Sequence, residues 1–396
     1  MMIRPCATAI TATLLLMVCS VSACADEALD ALRKLAVDEH GRALAALRTE
    51  ADAALGAKLL RITDKTAVAP SGDPRDYFDL SPYHWPNPNS ADGLPYVFRD
   101  GQLNPEAAGD QYSRVNYFAM GDQAKTLALA YRLTGHESYA ERAALVVRSW
   151  FLDAEYGMRP NLNYSQHIRG IPGGQPIGII RGMTIVELVD ATRWLEASQH
   201  WTSADRTAWS AWLTAYCDWL QTSDPGRKES QARNNHGTWY DVQVATLALV
   251  TGQQDLALRV VAVVPAGRFK NQLRPDGGQP FELLRTKSWD YSVMNLEAMF
   301  RLARLGDAVG VDLWSWHDDA GRSLRGALDF LVPAATGERP WSTKQIRDFE
   351  PAKLYPLLRR AATAYHEPAY DTAAGKIPEF DPAARREALW ALVGVP

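Results

Sequence analysis

The sequence holds few cysteines, four in 396 residues, and Cys6, Cys19 and Cys24 fall within the first 25. Once that segment is removed, Cys217 stands alone and no internal disulfide can form in the mature chain. There is no excess of one charge either. Lys and Arg number 42 against 46 Asp and Glu, a net charge of −4, so no global basic field draws the chain to nucleic acid or anionic lipid. No apolar run is long enough to span a bilayer comfortably. The longest, Ala7 to Val21, has only Arg4 as a charged neighbour before Asp26 and reads as an export leader. The motifs of zinc hydrolysis (His-Glu-x-x-His), paired Cys-x-x-Cys ligation, nucleotide binding (Gly-Lys-Ser/Thr) and serine esterases (Gly-x-Ser-x-Gly) are missing, which removes those chemistries.

Two processing sites overlap in the leader. Ala23-Cys24-Ala25 suits a peptidase cutting before Asp26, giving a signal peptide over residues 1–25 and a periplasmic or secreted protein. Val21-Ser22-Ala23-Cys24 suits a lipobox, giving a signal over residues 1–23 and an outer-membrane lipoprotein anchored through Cys24. Cys217 itself lies in an apolar helical pattern and reads as a small buried hydrophobe.

What remains, 47% hydrophobic and 22% charged, is enough to bury a sizeable core. Asp26 to Thr63 reads as an amphipathic helix or hairpin. Val68 to Pro105 turns to Pro, Gly, Asn, Asp and aromatics, a long loop of the kind more often functional than idle. Helical runs then recur: Thr126–Gly135, Ala245–Gly252 and Leu296–Gly306, each predicted to end on a left-handed glycine cap, and the first two followed by another amphipathic run. The pattern predicts an all-α fold, a toroid or solenoid of antiparallel helical hairpins with long functional loops. No compositional break divides residues 26–396, which read as one domain.

Two stretches concentrate polar chemistry. In Gln231-Ala-Arg-Asn-Asn-His-Gly-Thr-Trp-Tyr240, Asn234 or Asn235 can cap a helix that places His236 and Tyr240 one turn apart. A capping Asn and a structural His would account for it equally well. Yet Arg233, Asn234, Asn235 and His236 sit together at the mouth of a helix too apolar for the surface, which marks a candidate site. In Arg274 to Tyr291, Pro-Asp-Gly-Gly is turn chemistry. Glu282, Arg285, Lys287 and Tyr291 then alternate with Phe281, Leu283 and Trp289, as a salt-bridged helix face also would.

With these two stretches in order, the sequence resembles the alginate lyase superfamily of polysaccharide lyases. Asn234-Asn235-His236 with Trp239 is similar to its Asn-Asn-His-x-x-Trp motif, and Asp276-Gly277 through Glu282-Leu283 and Arg285 to Tyr291 is similar to its second catalytic segment. Ser81-Pro-Tyr-His-Trp-Pro86, Leu94-Pro95-Tyr96 and Asn161-Leu-Asn-Tyr164 add likeness to the glucuronan and alginate lyase branch, family thirty-eight. From family five it departs at Gly237-Thr238, in its Arg-to-Tyr spacing and at Ser292. The resemblance implies an (α/α) toroid or incomplete barrel and β-elimination from a uronate polymer with no metal and no cofactor.

Elimination requires donors that neutralise the uronate carboxylate, a base for H5 and an acid for O4. The resemblance assigns Asn235, His236, Arg285 and Tyr291 to catalysis. If both protons move on one face, Tyr291 serves as base and then acid; if on opposite faces, His236 takes H5 and Tyr291 protonates O4. A phenol of ordinary pKa about 10 is a poor base, and a neighbouring Arg285 is expected to favour its phenolate. Substrate contacts are expected from Arg233, Asn234, Trp239, Tyr240, Tyr83, His84, Trp85, Arg114, Asn163, Tyr164 and Lys287, with Tyr240 and Tyr164 as rival phenols. Two other readings stay open: a glycoside hydrolase using Asp276 and Glu282, and a glycan-binding surface lipoprotein without turnover.

Overall fold

The computed structural model describes residues 10–378, 380–381 and 386–393. The expected leader, residues 1–25, and Cys24 lie outside the residues whose side chains are described. Among the described residues no helix is long and apolar enough to cross a membrane. The chain runs through α1 (Ile10–Gly56), α2 (Ser113–Thr134), α3 (Glu137–Val147), α4 (Met183–Trp194), α5 (Ser203–Thr222), α6 (Asp224–Ser230), α7 (Asn235–Val250) and α8 (Gln254–Ala262). It continues through the short α9 (Lys270–Gln272) and α10 (Pro280–Leu283), then α11 (Ser288–Val309), α12 (Leu324–Ala335), α13 (Tyr355–Ala364), α14 (Ala369–Gly375) and α15 (Arg386–Val393).

Sequential pairs pack on one another: α2 on α1 and α3, α7 on α8, and α11 on both α7 and α8. This is the expected all-α, toroid-like arrangement. α2 stops at Gly135, whose φ of 73° is the left-handed cap foreseen for it, and Gly252 (φ 78°) follows the end of α7. The third expected cap is corrected. α11 runs through Gly306 and ends at Gly310 (φ 75°). Gly306 is needed for a different reason: a Cβ there would stand 2.3 Å from the carbonyl oxygen of Val311.

Two large cores lie on either side of α7. Tyr240, Val244 and Leu247 join the core built on α1 to α5, while Trp239, Val242 and Ala245 join the core of α8, α11, α12 and α13. A helix buried on all sides needs no solvent-facing polar stripe, and α7 shows none; its buried polar groups are paired inside, Asp241 with Arg268 and Gln243 with the carbonyl of Ile179. Its N-terminus is therefore held rigidly from both sides. Cys217 is fully buried in the first core, and burial pushes its thiol up to about 12, in keeping with an inert hydrophobe.

The long loop of residues 68–105 is pinned at both ends. β1 (Phe78–Leu80) pairs in parallel with β4 (Tyr164–His167), matching Phe78 to Tyr164 and Leu80 to His167; β2 (His84–Trp85) pairs antiparallel with β3 (Val97–Phe98). Beneath β1, the fully buried Asp79 accepts hydrogen bonds from Arg181 Nε (2.9 Å), Gln166 N (2.5 Å), Ser165 Oγ (3.2 Å) and Tyr77 Oη (3.2 Å). With that many donors its charge is compensated in the interior. Past β3, Asp100 accepts from Arg285 Nε (3.0 Å), Arg285 Nη2 (2.6 Å) and Thr286 N (2.8 Å), fastening the loop to the entrance of α11.

Candidate active site

Between this loop, the β4–α4 segment and the N-termini of α7 and α11 lies a cavity of about 720 Å³, within the range typical of ligand sites. Tyr83, His84, Asn234, His236, Arg285 and Tyr291 all line it, joined by Gln166 and Arg181. Positions 83 to 291 are thus brought together from both sequence stretches and the loop.

α7 begins at Asn235 with Asn234 as N-cap; the Asn234 side chain makes no capping hydrogen bond, and the residue lines the cavity. His236 Nδ1 lies 2.6 Å from Oε1 of Glu229, a carboxylate only 2% exposed. A carboxylate accepts, so Nδ1 carries a proton in this pair, and Nε2 is the nitrogen of the ring left for other partners. The fully buried Asn235 points elsewhere. Its backbone N and Nδ2 donate to Glu282 Oε1 (2.7 Å) and Oε2 (2.8 Å), so it orients the turn from within and does not line the cavity.

On the opposite wall, the Arg285 guanidinium stacks on Tyr291, 3.9 Å from the ring centroid, while Asp100 holds two of its nitrogens. Tyr291 Oη donates to Tyr83 Oη at 3.2 Å, and Lys287 Nζ donates to the same Tyr83 oxygen at 2.6 Å. Burial and the neighbouring Tyr83 raise the Tyr291 phenol well above its ordinary value, and Arg285 only partly opposes them. The expectation of a Tyr291 phenolate favoured by Arg285 is corrected: desolvation outweighs the cation. For Tyr83 the balance is reversed. Burial works to raise it, but hydrogen bonds from Lys287 and Tyr291 and the charges of Lys287 and Arg285 prevail and lower it.

Several expected contacts lie away from the cavity. Trp239 is 1% exposed with its indole N–H on the carbonyl of Met294, and Tyr240 gives its hydroxyl to the carbonyl of Leu220 at 3.0 Å. Both are corrected to core residues, placed there because α7 has no free face. Arg233 is exposed over the Phe281 ring, and Trp85 is half-buried against Arg99 and the carbonyl of Gln102. Arg114 sits over Phe118 behind the cavity wall. Asn163 accepts from the Trp219 indole, and Tyr164 packs beside the Phe78 cluster. Lys287 does not line the cavity but stands behind it, bonded to Tyr83 and over the rings of Tyr83 and Tyr291. Asp276 is an exposed turn residue accepting from Gly278 N, and both oxygens of Glu282 are spent on Asn235. The two carboxylates of the hydrolase reading therefore stand outside the cavity. Sequence reasoning missed Glu229, Asp100, Arg181 and Gln166.

Among the described residues no group of three or more His, Cys, Asp or Glu could hold a metal ion. The polar groups at the cavity include an imidazole paired with a buried carboxylate and a phenol beneath a guanidinium.

A family model described as alginate lyase matches residues 61–341. The crystal structure of an alginate lyase from Bacteroides ovatus superposes with a TM-score of 0.86 at 35% identity, covering 93% of this chain and 97% of that one. Alginate lyase A1-III from Sphingomonas species A1 matches with a TM-score of 0.53 at 17% identity, over 85% of this chain and 92% of that one. A variant of A1-III complexed with a tetrasaccharide matches at 0.55 and 16% identity, over 85% and 86%. At these identities the A1-III structures show likeness of fold alone. No curated protein matches the chain.

Proposed function

The chain belongs to the alginate lyase family and is a polysaccharide lyase; from that premise we propose that it cleaves a uronate polymer of alginate or glucuronan type by metal-independent β-elimination. The observation that carries this reading is the placement of His236, oriented by Glu229, and of Tyr291, under Arg285, on one cavity.

The two groups supply the acceptor and the donor that base and acid roles need. Nε2 of His236 has an open lone pair and takes H5. Tyr291, kept protonated by burial, gives its hydroxyl proton to O4 as the glycosidic bond breaks. Asn234 and the guanidinium of Arg285, whose Nη1 is not used by Asp100, supply donors to the uronate carboxylate as negative charge develops on it. One C–O bond breaks, a C4=C5 double bond forms, and the H5 proton leaves on His236. The tetrasaccharide complex of A1-III, a member of the same fold, accords with a carbohydrate in this cavity.

The test is ultraviolet absorbance of the purified protein with polymannuronate, polyguluronate and polyglucuronate in chelator-treated buffer. Rising absorbance from the conjugated C4=C5 bond on one or more polymers is expected and identifies the substrate. New reducing ends without absorbance would replace elimination by hydrolysis. Activity restored only by added divalent metal would remove the metal-independent part.

A further inference from the structure

The cavity wall carries a phenol, Tyr83, and behind it an ammonium, Lys287, that the elimination as described does not use. Tyr83 comes from the long loop and Lys287 from the residue preceding α11, some 200 positions apart, yet Lys287 Nζ is 2.6 Å from Tyr83 Oη. Tyr83 Oη is in turn 3.2 Å from Tyr291 Oη. The ammonium also lies over both rings, 5.0 Å from the centroid of Tyr83 and 5.6 Å from that of Tyr291. An exposed lysine with a mobile stem would not need two aromatic faces and a phenol to hold it. The geometry is that of a three-member hydrogen-bonded chain ending on the acid.

We propose that Lys287 and Tyr83 form a proton relay that reprotonates Tyr291 after each cleavage. The inference rests on the reading of Tyr291 as the acid for O4. Once Tyr291 has given its proton to the leaving sugar it is a phenolate inside a largely buried site, where bulk water reaches it poorly. Tyr83 passes its hydroxyl proton to that oxygen, the Lys287 ammonium passes one to Tyr83, and Lys287 recovers a proton from solvent. Three protons shift by one place and no other bond changes. The ordering of the phenols gives the direction: Tyr83 is lowered and Tyr291 raised, so a proton on Tyr83 moves downhill to a Tyr291 phenolate. Arg285 above Tyr291 stabilises that phenolate until the proton arrives, and Asp100 keeps Arg285 in place. Tyr83 and Lys287 act through Tyr291 and are positioning residues in this sense.

A relay and a sugar-stacking contact differ in when they matter. Stopped-flow absorbance of the unsaturated product, with enzyme at a known concentration in weak buffer, separates the first turnover from those that follow. For Tyr83→Phe the expected trace is a burst of one product per enzyme, then a steady phase slowed about tenfold or more. The steady phase should speed up as a small buffer acid is added at constant pH and ionic strength. Lys287→Gln, which leaves the loop aromatic untouched, should show the same burst and the same buffer rescue. Equal slowing of the first and later turnovers, or no response to buffer acid in either variant, would overturn the relay and make Tyr83 a substrate contact. Failure of the wild-type protein to form any unsaturated product would instead overturn the lyase reading on which the relay rests.

Discussion

Nδ1 of His236 meets Oε1 of Glu229 at 2.6 Å across the break between α6 and α7, and that contact takes up one nitrogen of the imidazole and leaves Nε2 as the other. Glu229 is almost fully buried and His236 lines the cavity. The carboxylate therefore holds the ring from behind and is not itself part of the cavity lining.

His236→Ala is expected to lower kcat/KM by about 10²- to 10⁴-fold, the usual worth of a general base. Glu229→Gln leaves the ring in place but offers an amide that can also donate, so the loss should be smaller, about 10- to 100-fold, as for partners of orienting histidines. Circular dichroism checks that both variants are folded, and product absorbance gives the rates. A fully active Glu229→Gln would show that the tautomer is not set by this pair.

Tyr240→Phe distinguishes a core phenol from a catalytic one. Its hydroxyl is spent on the carbonyl of Leu220 and its ring lies in the core. Its removal should cost about 1–2 kcal/mol of stability, since the carbonyl loses its partner, and leave kcat within about twofold. Tyr291→Phe should do the reverse, keeping the melting temperature close to wild type and losing about 10²-fold or more in kcat.

The start of α7 was legible because Asn-Asn-His stands before an unbroken apolar run, and the end of α2 because Gly135 stands where a helix needs a left-handed residue. What local pattern cannot carry is partnership over distance. Asp100 meets Arg285 after 185 intervening steps of chain, and Asp79 meets Arg181 after 102; neither acid has a neighbour that announces it. The same limit misplaced Trp239 and Tyr240. Helical spacing put Tyr240 on the face of His236, but α7 lies between two cores, and burial of the whole circumference overrode the one-face rule. Gly306 misled for a related reason: a glycine required by the close approach of Val311 looks in sequence like one that ends a helix.

Asp205 offers a test of the fold away from the cavity. Arg148 grips it with Nε and Nη2, both at 2.6 Å, while Thr202 N donates to Oδ2 at 2.7 Å. The Arg148 hydrogen bonds, opposed by burial and aided by Thr202, bring the carboxyl down to about 2. A carboxylate whose folded value lies below its unfolded value of about 3.9 stabilises the fold fully above that value and loses this contribution as pH falls through the folded one. Asp205→Asn should therefore melt lower than wild type at pH 7, by about 1–3 kcal/mol of stability, and the gap should close between about pH 4 and pH 2. A gap that stays constant down to pH 2 would mean that shape, and not charge, holds this corner.

Arg285 separates charge from geometry at the site itself. Its guanidinium is clamped by Asp100 on one edge and sits over Tyr291, 3.9 Å from the ring centroid, so it offers an anion a fixed direction as well as a charge. Lysine at this position keeps the charge but has neither the fork nor the plane. If neutralising the uronate were a matter of charge alone, Arg285→Lys would keep most of the activity. Because donors must meet the developing carboxylate charge where it forms, the expected result is a loss of about 10²-fold in kcat with little change in KM. Asp100→Ala leaves Arg285 present and unclamped, and should give a milder loss, again mainly in kcat, of about tenfold. Equal kcat for Arg285→Lys and wild type would move the carboxylate-neutralising role to Asn234 and Arg181 on the facing walls.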